Sequence, residues 1–150
     1  MAKLSLFDRD QLRTAHGVRW QHDVLQPNKM AAVASVAAAR ERHGGRSVIN
    51  PSEFELDGLT QPDYDALCSE IIRQHVSHFV LADGWQFSRG ARLEAMLALE
   101  LKLDVEDNHG RSLNANQIGT LMSAAISDLT KAGFPHSIIG GLLPQPMPVG

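Results

Sequence analysis

A chain of 150 residues, 43% hydrophobic and 21% charged, is long enough to bury a core of its own as one compact domain. No apolar run approaches the roughly 20 residues a membrane span needs, and a net charge of −3 lacks the basic surface that grips a nucleic-acid backbone. The single cysteine, Cys68, excludes an internal disulfide and leaves a thiolate metal site unsupported.

The opening MAKLSLFDRD carries acidic residues where a secretory signal would be apolar, so a cytoplasmic location is expected. Asp8 suits the N-cap of a short helix ending near Gly17, and Val18, Trp20, His22 and Val24 then alternate as in a half-buried strand. Good helix formers fill KMAAVASVAAARERHGG, predicting a helix over 29–42 that stops at Gly44 and Gly45. A short strand is expected over 46–50, ended by Pro51, which has no N–H to donate. Pro62 suits the first turn of the next helix, whose Tyr64, Leu67, Cys68, Ile71 and Ile72 share one face and place Cys68 in the core, with Asp63 and Asp65 as first-turn acids.

The run HFVLA at 78–82 reads as a strand buried on both faces, followed by a loop over 83–87 and a helix starting at Ser88. A further strand is expected over 101–105 and a polar loop over 106–112. Ile118, Leu121, Met122, Ala125, Ile126 and Leu129 form the stripe of a last helix over 114–131, closed by Gly133 and Pro135. The alternation predicts an α/β fold, a flavodoxin- or Rossmann-like, mostly parallel sheet with helices on both faces. Residues 1–133 form the domain and 134–150 a C-terminal tail or oligomerisation arm. Ligands of such sheets sit at the carboxyl ends of the strands, where the 83–87 loop lies.

A helix N-terminus presents unpaired N–H groups and a partial positive charge, so Ser88, Arg89, Gly90 and Ala91 make a phosphate cup to which Arg92 can add a charge-assisted bond. Glu94 follows Gly90 by four residues on the same face, about 6 Å along the axis. That is near the span from a 5′-phosphate to the anomeric carbon of its sugar, which a carboxylate there could attack. The plainer reading makes Ser88 an ordinary N-cap and Glu94 a solvated residue paired with Arg89 or Arg92. Trp85 and Phe87, beside Gly84, either stack on a base or plug the top of the sheet. His75 and His78 straddle a helix end and a strand start, so no metal site is expected from them.

The pattern Ser-x-Gly-x-x-x-Glu after an apolar strand, here SRGARLE, resembles the signature of the nucleoside 2-deoxyribosyltransferase-like superfamily. The stretch HFVLADGWQFSRGARLEAMLALEL is similar to the strand, Gly-Trp loop and helix of its small phage and bacterial members, and HGGRSVINP to their helix, strand and Asn-Pro turn. The likeness spans 28–103. It implies that Glu94 attacks the anomeric carbon and releases the base, with Ser88 and Gly90 holding a 5′-phosphate. Two positions depart from the family pattern: Ser77 stands where an acidic residue is common, and RWQHDVLQPN replaces a glycine-containing loop. Asp83 could compensate for the first as a catalytic residue, and His22 or Asp23 could contribute near the second.

The expected function is N-glycosidic cleavage of a nucleoside 5′-monophosphate, by hydrolysis or by transfer of the sugar to another base, with no cofactor and no metal. The alternative is a non-catalytic nucleotide-binding or interaction module of the same fold. The resemblance and the apolar ending SIIGGLLPQPMPV further imply a homodimer or higher oligomer.

Overall fold

The computed structural model describes residues 26–54 and 56–142. The helix expected over 8–17 and the strand over 18–24 fall outside these residues, as does the end of the chain from 143. Helix α1 spans Gln26–Arg42 and runs out at the Gly44-Gly45 pair as expected. After a 3₁₀ turn at Pro51–Glu53 comes α2, Gln61–His75, with Pro62 in its first turn. Asp63 locks its start, its Oδ2 accepting from the Thr60 backbone N at 2.7 Å and from Thr60 Oγ1 at 2.6 Å.

Strand β1, His78–Leu81, leads through a 3₁₀ turn at Trp85–Phe87 into α3, Arg89–Glu100, and back to β2, Asp104–Asp107. The two strands pair in parallel, His78 opposite Asp104 and Leu81 opposite Asp107, so α3 is the crossover that parallel neighbours require. Helix α4, Ala115–Lys131, starts at a reciprocal cap in which Asn114 and Gln117 each bond the other's backbone N–H at 2.9 Å. A final helix, α5, covers His136–Leu142.

The core lies on one face of the strand pair. Leu81 and Val105 pack with Trp85, Ala95, Ala98 and Ile118, and Phe79 and Met122 close the edge. Ala95 and Ala98 have no exposed surface, so the α3 backbone lies close against the sheet. Strand alternation turns His78 and Glu106 to the opposite face, toward the end of α1.

The expected α/β class holds, and the bounds of two strands need correction. Among the described residues the sheet comprises two parallel strands, joined by α3 as an α/β unit. Residues 46–50 form no strand: Ile49 is exposed, and the Asn50 carbonyl instead accepts from Glu53 N at 3.1 Å to begin the 3₁₀ turn. The second strand begins at Asp104 rather than 101, because Leu101 to Leu103 close α3. Leu103 N bonds Ala98 O at 2.9 Å and Lys102 N bonds Leu99 O at 3.0 Å, with Lys102 left-handed at φ 57. After Pro135 the chain forms α5, whose Ile139 is buried among α3 and α4.

Ile118 is 1% exposed in the central cluster, so Ile118→Ala should lower the unfolding free energy by about 2–5 kcal/mol in urea denaturation. A loss below about 1 kcal/mol would show that α4 does not complete this core.

Candidate functional site

Ser88 is the N-cap of α3, its Oγ accepting from Ala91 N at 3.2 Å, which leaves the hydroxyl hydrogen free to donate outward. A Cβ added at Gly90 would meet nothing nearer than Ser88 Oγ at 4.0 Å, so the first turn of α3 is open beside that hydroxyl. Arg89 reaches sideways to α2, with its guanidinium 3.6 Å from the Asp65 carboxylate.

Arg92 corrects the sequence reading. It is 4% exposed, its Nη1 donates to the carbonyls of Gln86 at 3.0 Å and Met122 at 3.4 Å, and burial pulls its pKa down. It ties α3 to the 3₁₀ turn and to α4 instead of facing a ligand at the cup. The helical period explains this, since a residue four after the cap points back toward the sheet side that α4 covers.

One turn beyond the Asp65–Arg89 pair, α2 and α3 bring Cys68 against Glu94. Burial pushes the Glu94 carboxyl up to about 7; a hydrogen bond from the Cys68 thiol opposes the shift, and the Asp65 charge adds to it. The same burial, with Glu94 beside it, pushes the Cys68 thiol up to about 11. Glu94 is therefore not the solvated partner of Arg89 or Arg92: those guanidiniums are engaged with Asp65 and with backbone carbonyls. A carboxyl poised near neutrality can act as acid, base or nucleophile.

The loops after both strands enclose a cleft of about 610 Å³, lined in part by Asp83, Gly84, Trp85, His109, Asn116 and Gln117. It lies at the carboxyl ends of the strands. Gly84 is left-handed at φ 83, which lets the chain turn directly from β1 into the 3₁₀ segment. Asp83 accepts from Asn108 Nδ2 at 3.4 Å and stands 3.8 Å from His109 Nε2. Trp85 is both a core residue and a wall of this cleft, whereas Phe87 is buried at 5% exposure and is not part of the wall. Ser88 and Glu94 do not line it either, so Asp83 and Glu94 are not brought together there.

A second charged group escaped the sequence reading. Glu106, assigned to a polar loop, is a strand residue at 6% exposure. Its Oε1 meets Arg42 Nη2 at 3.0 Å and His43 Nε2 at 2.8 Å, and its Oε2 lies 3.0 Å from His78 Nε2. Arg42 also donates to the Asn108 carbonyl at 3.1 Å and lies over Gly110, where an added Cβ would come within 3.0 Å of its side chain. Although burial disfavours the charge, the hydrogen bonds from His43 and Arg42, with the His78 imidazole close by, outweigh it and hold the Glu106 carboxyl down at about 2. The available signal was a charge in strand register, with Glu106 on the face that His78 occupies.

The two carboxyls give opposite pH dependences. Glu106 has a folded-state pKa below its usual 4.5, so its contribution is present above pH 4.5 and is lost as pH falls toward about 2. Glu106→Gln should cost about 3 kcal/mol at pH 7 and much less near pH 2 in denaturation measured across pH. Glu94 has a raised folded pKa, so the fold is penalised as pH rises from 4.5 through about 7. Glu94→Gln should leave stability at pH 4 little changed and raise it at pH 8 by about 1–3 kcal/mol; an equal effect at both pH values would contradict the burial of this carboxyl.

Comparison with curated proteins and with solved structures returns no match. One protein family does match, over residues 25–107, more than half of the chain. The matched stretch runs from α1 through β2 and contains both the Ser88-to-Glu94 segment and the Glu106 cluster. The chain therefore belongs to the family described as domain of unknown function DUF4406.

Proposed function

We propose that the protein is a nucleoside 5′-monophosphate N-glycosidase of the nucleoside 2-deoxyribosyltransferase-like superfamily, with Glu94 as nucleophile and Ser88 and Gly90 holding the phosphate. One observation carries this reading: a carboxyl raised to about 7 sits on the same face as, and one turn beyond, the open first turn of α3. The resemblance of SRGARLE to the superfamily signature supports it.

In this reading the ionised Glu94 attacks C1′. A carboxylate–C1′ ester bond forms as the C1′–N bond breaks, and the base leaves with a proton taken from solvent or from a neighbouring acid. Water then attacks C1′, gives up a proton and regenerates Glu94 with release of the sugar phosphate. The Cys68 thiol, hydrogen-bonded to the carboxyl, helps hold it in place. Transfer to a second base in place of water would use the same covalent intermediate.

A non-catalytic nucleotide-binding module is the second reading. It is favoured by Ser77 and by Asp83, which faces His109 and Asn108 rather than Glu94. Incubation with ribo- and deoxyribonucleoside monophosphates, with free base read by chromatography, separates the two. Cleavage should increase with pH through about 7, and Glu94→Gln should reduce it at least 100-fold while binding persists in calorimetry. Ser88→Ala should weaken a monophosphate more than the free nucleoside. Binding without base release from any substrate would establish the module.

We further propose that the protein assembles as a homodimer or higher oligomer, as the resemblance implies. Met30 and Val33, at 71% and 61% exposure on α1, are suitable apolar contacts. Sedimentation at micromolar concentration tests this, and a monomer that still cleaves nucleotides would exclude a shared site.

A further inference from the structure

We propose that His43, His78 and Glu106 form a binding site for a divalent transition-metal ion of the zinc type, at the junction of α1 with the strand pair. This site is separate from Glu94 and does not depend on the proposed glycosidase reaction. Its three side chains come from three different elements: His43 follows the last turn of α1, His78 opens β1, and Glu106 lies within β2. The fold, rather than local sequence, brings them together.

One ligand atom from each of the three lies within 4.8 Å of the others. The Nε2 atoms of both histidines converge on one carboxylate, at 2.8 Å and 3.0 Å from its two oxygens. The imidazole rings are tilted by 54° with centroids 4.5 Å apart, so they approach Glu106 from different directions instead of stacking face to face. Two imidazoles and a carboxylate suit zinc-like ions and leave a coordination position for water.

Two details favour a ligand set over a purely structural ion cluster. His78 Nε2 is buried and makes no hydrogen bond, although Glu106 Oε2 is 3.0 Å away, because the contact angle is poor. Such a buried atom gains a partner when a cation sits between it and the carboxylate. Arg42, the obvious competitor, bonds Oε1 and anchors its other nitrogen on the Asn108 carbonyl. It can therefore remain as an outer partner that orients the carboxylate while Oε2 ligates. Its charge limits affinity, which places the expected Kd in the micromolar range rather than lower. On binding, the metal displaces the hydrogen bond between His43 Nε2 and the carboxylate, and it clamps α1 to the strand whose following loop borders the 610 Å³ cleft.

The test is calorimetric titration of the full chain with Zn2+, repeated with His43→Gln, His78→Gln and the control His109→Gln. Glutamine keeps a donor for Glu106, and circular dichroism verifies the fold of each variant. One ion per chain is expected, with affinity at least 10-fold weaker in the first two variants and unchanged in the control. Co2+ absorption of the wild-type protein provides a readout independent of any variant and should show the bands of a nitrogen and oxygen site. Absence of binding at 100-fold molar excess, or binding that survives both the His43 and His78 changes, would overturn the proposal.

Discussion

Ala95 and Ala98 let the α3 backbone lie directly on the β1–β2 pair, and most of the remaining geometry follows from that close approach. A larger residue at either position would lift the helix from Leu81 and Val105 and open the only apolar cluster that joins Trp85 and Ile118 to the sheet among the described residues. Once the alanine face is committed to the sheet, the helical period decides the rest. Arg92 is carried to the buried side, where its Nη1 bonds carbonyls of the 3₁₀ turn and α4. Gly90 and Glu94, four apart, are carried to the α2 side, where Asp65 and Cys68 await them.

The strand pair is thus two-faced. Its apolar side is conventional packing, while its other side carries a buried carboxylate that folding can accept only because Arg42 and two imidazoles surround it. The C-terminal end of α1 is fastened to the sheet by charge beside the buried Ala39, while Met30 and Val33 near its start remain exposed. Arg42 then extends the tie to Asn108 and Gly110, so one guanidinium connects α1, β2 and the loop that borders the cleft.

Glu94 and Glu106 show how environment separates two residues of the same type. Glu94 is half-buried between α2 and α3 with a thiol and a second acid nearby, so desolvation favours its neutral form and its pKa climbs to about 7. Glu106, at 6% exposure, faces donors instead, and its pKa falls to about 2. The first is held ready for proton or carbon chemistry; the second is locked as an anion whose natural partners are cations.

The amino-acid order by itself determined α1 to α4, the first strand and the Ser88-to-Glu94 segment. Local signals were enough there: the Gly44-Gly45 stop, Pro62 in a first turn, the apolar 78–82 run, the Ser88 cap, and the Gly90-to-Glu94 spacing. It misread 46–50 and 101–105, where short apolar runs serve a turn and a helix closure, because periodicity cannot distinguish a strand from an apolar helix end over five residues. Only the tertiary structure decided what each guanidinium engages. Arg89 and Arg92 are equivalent as sequence, but α4 covers one and α2 engages the other. Only the tertiary structure, too, could assemble Glu106 with His43 and His78, residues more than sixty and nearly thirty positions away, because a long-range cluster leaves no local pattern to read.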